Sequence, residues 1–450
     1  MTRPPLPAGP YLIVGLARSG TAAALALRSR GQEVLGSDRA GLTPAALVEA
    51  GVELVEHGTA ALERAGCVVK SPGVPASEPV IAAARERGMP VIGELELAWR
   101  LLPNDFVAVT GTNGKTTTVE LLGAIYRASA RPVAVAGNVG RALSLLATPP
   151  PHGEAPLDPD ATIVCEASSF QLEDTDLFAP HAAVLLNIAA DHLDRHGDMA
   201  SYTAAKLRVF ANQGAGDVAI VPAGEAASLR LGGAARRVSF GAGAGAGADM
   251  RADEQWLWWR GERFAARADI RLRGPHNAQN AMAAAAAALE CGLPADGVRE
   301  GLATFAGVAH RLEEVATREG VLFVNDSKGT NVASTLVALR SFEPGSVRLI
   351  LGGRGKGEDF AALADDVAAR VRAVYLIGES AGEMAAALAP AATPAGVEIA
   401  DCGTLERALA AVRAQARAGE VVLLSPACTS FDQFTDYEQR GDEFRRLVLA

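Results

Sequence analysis

The stretch FVAVTGTNGKTTT, residues 106–118, sets a run of apolar and β-branched residues against a glycine-rich turn, a lysine and three threonines. The first part has the composition of a buried strand, and the threonines open a helix-like run. Phosphates need this arrangement. Glycines let backbone amides approach closely, a helix start favours negative charge, a lysine adds a point charge, and a hydroxyl can bind magnesium. Gly111, Thr112, Asn113, Gly114, Lys115, Thr116 and Thr117 are therefore candidate contacts to a nucleotide's phosphates. Only Thr112 and Asn113 separate the two glycines, and position 109, where the longer phosphate-loop pattern places its first glycine, is valine. A glycine turn without a ligand is the competing reading.

Outward from this turn the same alternation repeats. Upstream, YLIVGL (11–16) precedes the helix-like SGTAAALALRSRG (19–31), EVLGSD (33–38) reads as the next strand, and CVVKSPGVP (67–75) as a strand ending in a tight turn. A second series follows residues 106–118 through PVAVAGNVG (132–140), ATIVCEASSF (161–170) and AAVLLNIAADH (182–192). A third contains VLFVNDSKGTN (321–331), RLILGGRGKG (348–357), AVYLIGES (373–380) and VVLLSPACTS (421–430). Strands alternating with Ala- and Leu-rich helices imply parallel βαβ units and an α/β fold. Boundaries are expected near Pro103-Asn104 and in GVAHR (307–311), with candidate hinges near 94–104 and 307–311. The repeat GAGAGAGA (241–248) is expected as a flexible surface loop, and WLWWR (256–260) as a strand that packs.

Totals narrow the function classes. At 450 residues the chain exceeds one core, and 49% hydrophobic with 21% charged residues describes a globular protein. The formal charge of −10 argues against nonspecific nucleic-acid binding, which needs basic surface, but leaves room for small anionic substrates. Five cysteines, none in a Cys-x-x-Cys pair, fit free thiols in a reducing compartment. No signal-peptide layout or membrane-length apolar run is present, so a cytoplasmic protein without membrane insertion is expected.

Three further motifs bear on chemistry. GLARSG (15–20) is a dinucleotide fingerprint with Ala17 in place of the glycine that lets a pyrophosphate approach the backbone. A nicotinamide site is thereby disfavoured; a nucleotide-type ligand, with Asp38 at the next strand end, and a bare tight turn both stay open. Glu166 ends the run ATIVCE, where a carboxylate at the end of a parallel strand points into the ligand crevice and could hold magnesium. His192 and His196 have the spacing of a helical zinc pair, but a zinc protease's glutamate is missing and Asp191-His192 fall just past a strand end. That pair is expected to fail, leaving His196 without a role.

Taken together, GTNGKTT, EASSFQLE, LNIAADHLDRH, YTAAKLRVF, RGPHNAQNAMAA, HRLE, NDSKGTN, GGRGKGEDF and LSPACTSFDQFTDYEQRGDEF resemble, in order and across nearly the whole chain, the Mur ligase family of ATP-dependent amide-bond formers. The last block and the length are most similar to its D-glutamate-adding members. The resemblance implies three domains: an N-terminal Rossmann-like domain for the UDP-sugar (1–94), a central ATP-binding parallel-sheet domain with the phosphate loop (95–308), and a C-terminal Rossmann-like domain for the amino acid (309–450). It implies that ATP phosphorylates the alanyl carboxylate of UDP-N-acetylmuramoyl-L-alanine and that the amine of D-glutamate then displaces phosphate, a step of peptidoglycan precursor synthesis. A monomer is expected.

Residue by residue, the resemblance places Thr116 and Glu166 at one magnesium ion. His192 and Lys206 would serve a second, with Lys206 carrying a CO2-derived carbamate that turns a repelling ammonium into an oxygen donor. Lys115, His192 and Lys206 are the expected catalytic residues. Asn280, in the helix start that also holds His276 and Asn277, would contact adenine, Arg311 the ATP phosphates and Asp326 the ribose. Ala17, Arg18, Ser19, Asp38, Arg39, Gly73 and Asn138 fall on the UDP-sugar side. Lys328, Thr330, Lys356, Ser430, Phe431 and Tyr437 would surround D-glutamate, the lysines suiting its two carboxylates. Arg18, Phe431 and Tyr437 depart from the family's familiar residues. A ligase for another amino acid, a folylpolyglutamate synthase, a nucleotide-switch protein and an oxidoreductase using GLARSG are the rival readings.

Overall fold

The computed structural model describes residues 3–153, 155–224, 229–242, 247–272 and 274–450. Residues 243–246 of the Gly-Ala repeat, and Arg273 of the motif 273–284, lie outside the described residues. Three sheets organise the chain, and it divides into two compact units. One comprises Met1–Ile270 with His276–Phe305, the other Arg271–Pro275 with Ala306–Ala450.

The first sheet is wholly parallel. Tyr11–Val14 lies at its centre between Val34–Ser37 and Cys67–Lys70, with Glu53–Leu54 and Val91–Gly93 outside. Its three inner strands are buried at every position, because helices cover both faces of such a sheet and leave no polar side. Strand order reverses at Tyr11–Val14, so the turn that follows Val14 opens on the crevice where parallel sheets bind ligands.

The second sheet has nine strands. Val133–Gly137, Thr162–Glu166, Phe106–Thr110, Ala182–Leu185, Val218–Pro222, Arg236–Ala242 and Met250–Ala252 run parallel in that spatial order. Trp256–Trp259 and Glu262–Ala266 close one edge in antiparallel fashion. The expectation of a parallel central sheet therefore holds for seven of its nine strands and fails at this edge. Arg260 and Gly261 join the last two strands, both at positive φ (47° and 87°), and a two-residue turn of that kind can only return the chain antiparallel. Phe106–Thr110 is buried at all five positions, so the glycine turn leaves a strand enclosed along its whole length.

Between these two sheets the chain is fastened rather than loosely jointed. Glu94–Leu101, in the region expected as a hinge, is a helix that buries Glu94 and Glu96. Glu94 accepts the backbone N–H of Ser144 at 2.6 Å. Glu96 accepts those of Asp176, Leu177 and Phe178 at 2.9, 3.2 and 2.9 Å, and the Arg100 guanidinium at 2.6 Å. Lys70 and Asp174, both fully enclosed, pair at 2.7 Å. Buried carboxylates persist only when satisfied in this way.

The second unit carries a six-stranded sheet in the order Glu313–Arg318, Val321–Asn325, Val421–Leu424, Val347–Gly352, Val371–Ile377, Glu398–Gly403. Only the first pairs antiparallel, at the edge. All four strands read in the third series are therefore neighbours in one sheet. Among the described residues no helix is long and apolar enough to cross a membrane.

Candidate functional site

Strand Phe106–Thr110 delivers the chain into the turn 111–114, and helix Lys115–Ala128 leaves it. Gly111 and Gly114 have φ of 151° and 86°, which side chains rarely adopt, and a Cβ on Gly114 would lie 2.3 Å from the Asn280 side-chain oxygen. Asn280, buried in helix Pro275–Glu290, also donates to Asn277 at 3.0 Å. The sequence motif at 275–280 thus meets the glycine turn directly. The Lys115 ammonium donates to the carbonyls of Gly111 and Thr112, both at 2.9 Å.

The neighbouring strand end supplies the acid. Glu166 accepts from the Thr116 hydroxyl at 2.8 Å with one oxygen and from the Asn138 amide at 3.0 Å with the other. Asn138 also donates its backbone N–H to the Glu166 carbonyl at 3.0 Å, and its own carbonyl accepts from Arg18 at 2.8 Å. Four residues read from four separate motifs are thereby linked. Their donor set of hydroxyl and carboxylate oxygens suits magnesium, which takes few protein oxygens and completes its shell with water and phosphate. No group of three or more His, Cys, Asp or Glu that could hold a metal ion occurs among the described residues.

The strand Ala182–Leu185 ends beside the same turn. Asn187 was not anticipated, yet its side chain accepts from the Asn113 N–H at 2.9 Å and donates to the Asn113 carbonyl at 3.0 Å. Farther on, His192 adopts the left-handed conformation (φ 53°) and caps the one-turn helix Leu193–His196 from outside. The two histidines consequently do not form a helical i,i+4 pair. Lys206, on helix Met199–Leu207, is buried and donates to the Gly111 carbonyl at 2.8 Å. Burial, and then the nearby charge of Lys115, push its ammonium down to about 7. Tyr202, one helical turn earlier, places its ring 4.5 Å from that ammonium and its hydroxyl 3.1 Å from the Thr112 hydroxyl. The spacing of Tyr202 from Lys206 was the available signal.

In GLARSG, Gly15 needs its φ of 88°, and a Cβ on Gly20 would sit 1.8 Å from the Gly15 carbonyl oxygen. Ala17 serves as N-cap of helix Arg18–Arg28, which includes Ser19. Asp38 accepts backbone N–H groups from Leu16 at 2.7 Å and Ala40 at 2.8 Å, so its carboxylate holds the turn closed. Arg39 is exposed, 3.9 Å from Glu78, and Gly73 faces open space.

Within the second unit, the predicted residues gather at the strand ends. Arg354 and Thr429 exchange backbone hydrogen bonds at 3.0 and 3.1 Å, which joins the loop of Lys356 to that of Ser430 and Phe431. Ser430 is buried, whereas Lys356 and Phe431 are exposed. The Lys328 ammonium lies 5.5 Å from the Tyr437 ring, the Lys328 N–H donates to the His310 carbonyl, and the Thr330 N–H donates to that of Lys328. Arg311 is partly buried, with its Nε lacking a partner. Asp326 is buried, accepting from Ser425 at 2.7 Å and from the Leu312 N–H at 3.2 Å. Desolvation pushes its carboxyl up to about 6. The folded state therefore binds this proton more tightly than the unfolded chain, and stability falls as pH rises through the window between about 4 and about 6. We predict that Asp326→Asn, measured by urea unfolding, gains about 2–3 kcal/mol relative to the parent between pH of about 4 and about 7.5; a pH-independent difference contradicts the assignment.

Residues 109–288 match the Mur ligase middle domain, and residues 310–428 match the Mur ligase glutamate ligase domain. The chain is 42% identical over 456 residues to UDP-N-acetylmuramoylalanine–D-glutamate ligase of Acidobacterium capsulatum, covering 98% of this chain and 96% of that protein. It is 43% identical over 475 residues to the protein of the same name from Anaeromyxobacter dehalogenans, covering 100% and 99%. In fold it is like the solved UDP-N-acetylmuramate-alanine ligase of Thermotoga maritima, with a TM-score of 0.61 at 19% identity over 98% of this chain and 99% of that one. With 42–43% identity over nearly its whole length to these relatives, the chain belongs to the Mur ligase family, as its motifs implied.

Proposed function

We propose that this protein joins D-glutamate to UDP-N-acetylmuramoyl-L-alanine at the expense of ATP, acting as a monomer in the cytoplasm on a precursor of peptidoglycan. The linkage of Thr116, Glu166, Asn138 and Arg18 is the observation that supports this reading: it joins the helix start after the glycine turn to a strand-end acid and to Arg18. An enzyme that phosphorylates a carboxylate must bring two anions together, and this cluster has the cations, amides and oxygens for that task. Full-length similarity to ligases of that name supports the choice of substrates.

In this reading residues 1–94, 95–308 and 309–450 bind UDP-sugar, ATP and amino acid respectively. Gly111 to Thr117 are assigned to the ATP phosphates, Asn280 to adenine, Arg311 to the phosphates and Asp326 to the ribose. Arg18, Ser19, Asp38, Arg39, Gly73 and Asn138 serve the sugar nucleotide, and Asp38 does so by fixing the turn. The alanyl carboxylate attacks the terminal phosphorus, ADP leaves, and an acyl phosphate forms. The D-glutamate amine, oriented by Lys328, Thr330, Lys356, Ser430, Phe431 and Tyr437, attacks the carbonyl carbon and phosphate departs. Lys115 opposes the phosphate charge throughout.

Thr116 and Glu166 would hold one magnesium ion, and His192 with carbamylated Lys206 a second; when bound, the ions supply charge neutralisation between phosphate and carboxylate. Only a neutral amine adds to CO2, forming an N–C bond and releasing a proton. Lys206, held to about 7, has a substantial neutral fraction near that pH.

The direct test is phosphate release with each substrate omitted in turn. It requires ATP, UDP-N-acetylmuramoyl-L-alanine and D-glutamate together, and L-glutamate does not replace the D isomer. Turnover with another amino acid, or ATP hydrolysis independent of the acceptor, refutes the assignment. Lys206→Ala should lose at least about a hundredfold in kcat and recover in part with an added short carboxylic acid. Full activity without the additive removes the carbamate from the account.

A further inference from the structure

His196 was left without a role by the sequence, yet both of its ring nitrogens are engaged. Nε2 lies 3.0 Å from the Ser169 hydroxyl, and Nδ1 lies 3.1 Å from a Glu173 oxygen. The side chain is only 3% exposed. Assigned from these partners, the neutral tautomer donates from Nδ1 to Glu173 and accepts the Ser169 proton at Nε2. Ser169–Leu172 is the short helix just past Glu166, so His196 clamps its own loop to the element leaving the acid.

Phe170 sits within this clamp. Its ring centroid lies 5.5 Å from that of His196 and 4.8 Å from that of His192. The Arg195 guanidinium lies 4.2 Å from the same ring. Arg195 donates to the other Glu173 oxygen and to the Val74 carbonyl, both at 3.1 Å. That carbonyl also accepts from Lys70 at 2.7 Å. A continuous set of contacts thus runs from the turn 71–75, through Arg195, Glu173 and His196, to the ring packed on His192. His192 itself is half-exposed and left-handed, a backbone conformation that needs support from its surroundings.

We propose that His196 and Arg195 are positioning residues. With Ser169, Phe170 and Glu173 they hold the turn that presents His192, and Arg195 ties that turn to the sugar-side turn containing Gly73. The catalytic consequence rests on the proposed ligase reaction; the positioning itself does not.

Two readouts on the full-length chain separate these parts. In His196→Ala, backbone amides of residues 191–198 should exchange hydrogen about tenfold faster while the rest of the chain keeps its protection. In the ligase assay kcat should fall about tenfold or more, with KM for ATP within about twofold of the parent. Ser169→Ala, which removes one oxygen, should give the same pattern in smaller measure and guards against a variant that fails to fold. Glu173→Gln, which keeps an oxygen for the Nδ1 proton, should retain most of the rate that Glu173→Ala loses. Arg195→Ala should raise KM for the sugar nucleotide. Unchanged exchange at 191–198 in folded His196→Ala overturns the proposal, as does a rise spread evenly over the chain. If the parent releases no phosphate with its three substrates, the ligase reading fails while the exchange result still decides the positioning.

Discussion

Two ammonium groups meet on one carbonyl oxygen: Lys115 and Lys206 both donate to Gly111, at 2.9 and 2.8 Å. Like charges so close repel in a poorly solvated pocket, and the repulsion is relieved when an anion enters or when one amine loses its charge. Burial is the larger cause of the drop in the Lys206 pKa, and the charge of Lys115 adds to it. The turn at 111–114 is carried by the buried strand beneath it, and the surrounding side chains keep it in place. Asn187 pins Asn113, Tyr202 meets Thr112, and Asn280 fills the space that a side chain at Gly114 would need.

The strand ends were the legible part of this arrangement. A parallel sheet buried on both faces writes its strands as short apolar runs, and whatever polar residue follows such a run is delivered to one crevice. Thr116, Asn138 and Glu166 come from three strand ends distant in the chain, yet they form one hydrogen-bonded group. The same logic reaches Asn187, which follows the run AAVLL and was overlooked because amides carry no strong motif.

Other features depend on contacts that periodicity does not encode. Glu94 and Glu96 look like solvent-facing charges in a helix, but they are buried because backbone amides distant in sequence converge on them. Asp38 was expected among the sugar-nucleotide contacts, and its carboxylate accepts two backbone N–H groups of the turn around it. His196 was already expected to have no metal role, and its partners on the segment 169–173 were hidden by more than twenty intervening residues. The antiparallel edge at 256–266 was concealed by an Arg-Gly pair that is a weaker turn signal than Asn-Gly.

These contacts give the site a division of labour. In the proposed reaction the group at 111–116, 138 and 166, with Lys206 on the Gly111 carbonyl, handles charge, and the lysines and hydroxyls at 328, 330, 356 and 430 take the incoming amino acid. Carboxylate activation by phosphoryl transfer is the central claim, and it leaves an isotopic trace. With oxygen-18 in the alanyl carboxylate of UDP-N-acetylmuramoyl-L-alanine, an acyl phosphate must pass one labelled oxygen to each phosphate released, because the carboxylate oxygen that attacked phosphorus departs with it. One oxygen-18 per phosphate, read by mass spectrometry during turnover with D-glutamate, is the predicted result. Unlabelled phosphate would contradict it, since ATP would then be cleaved by water rather than by the acceptor.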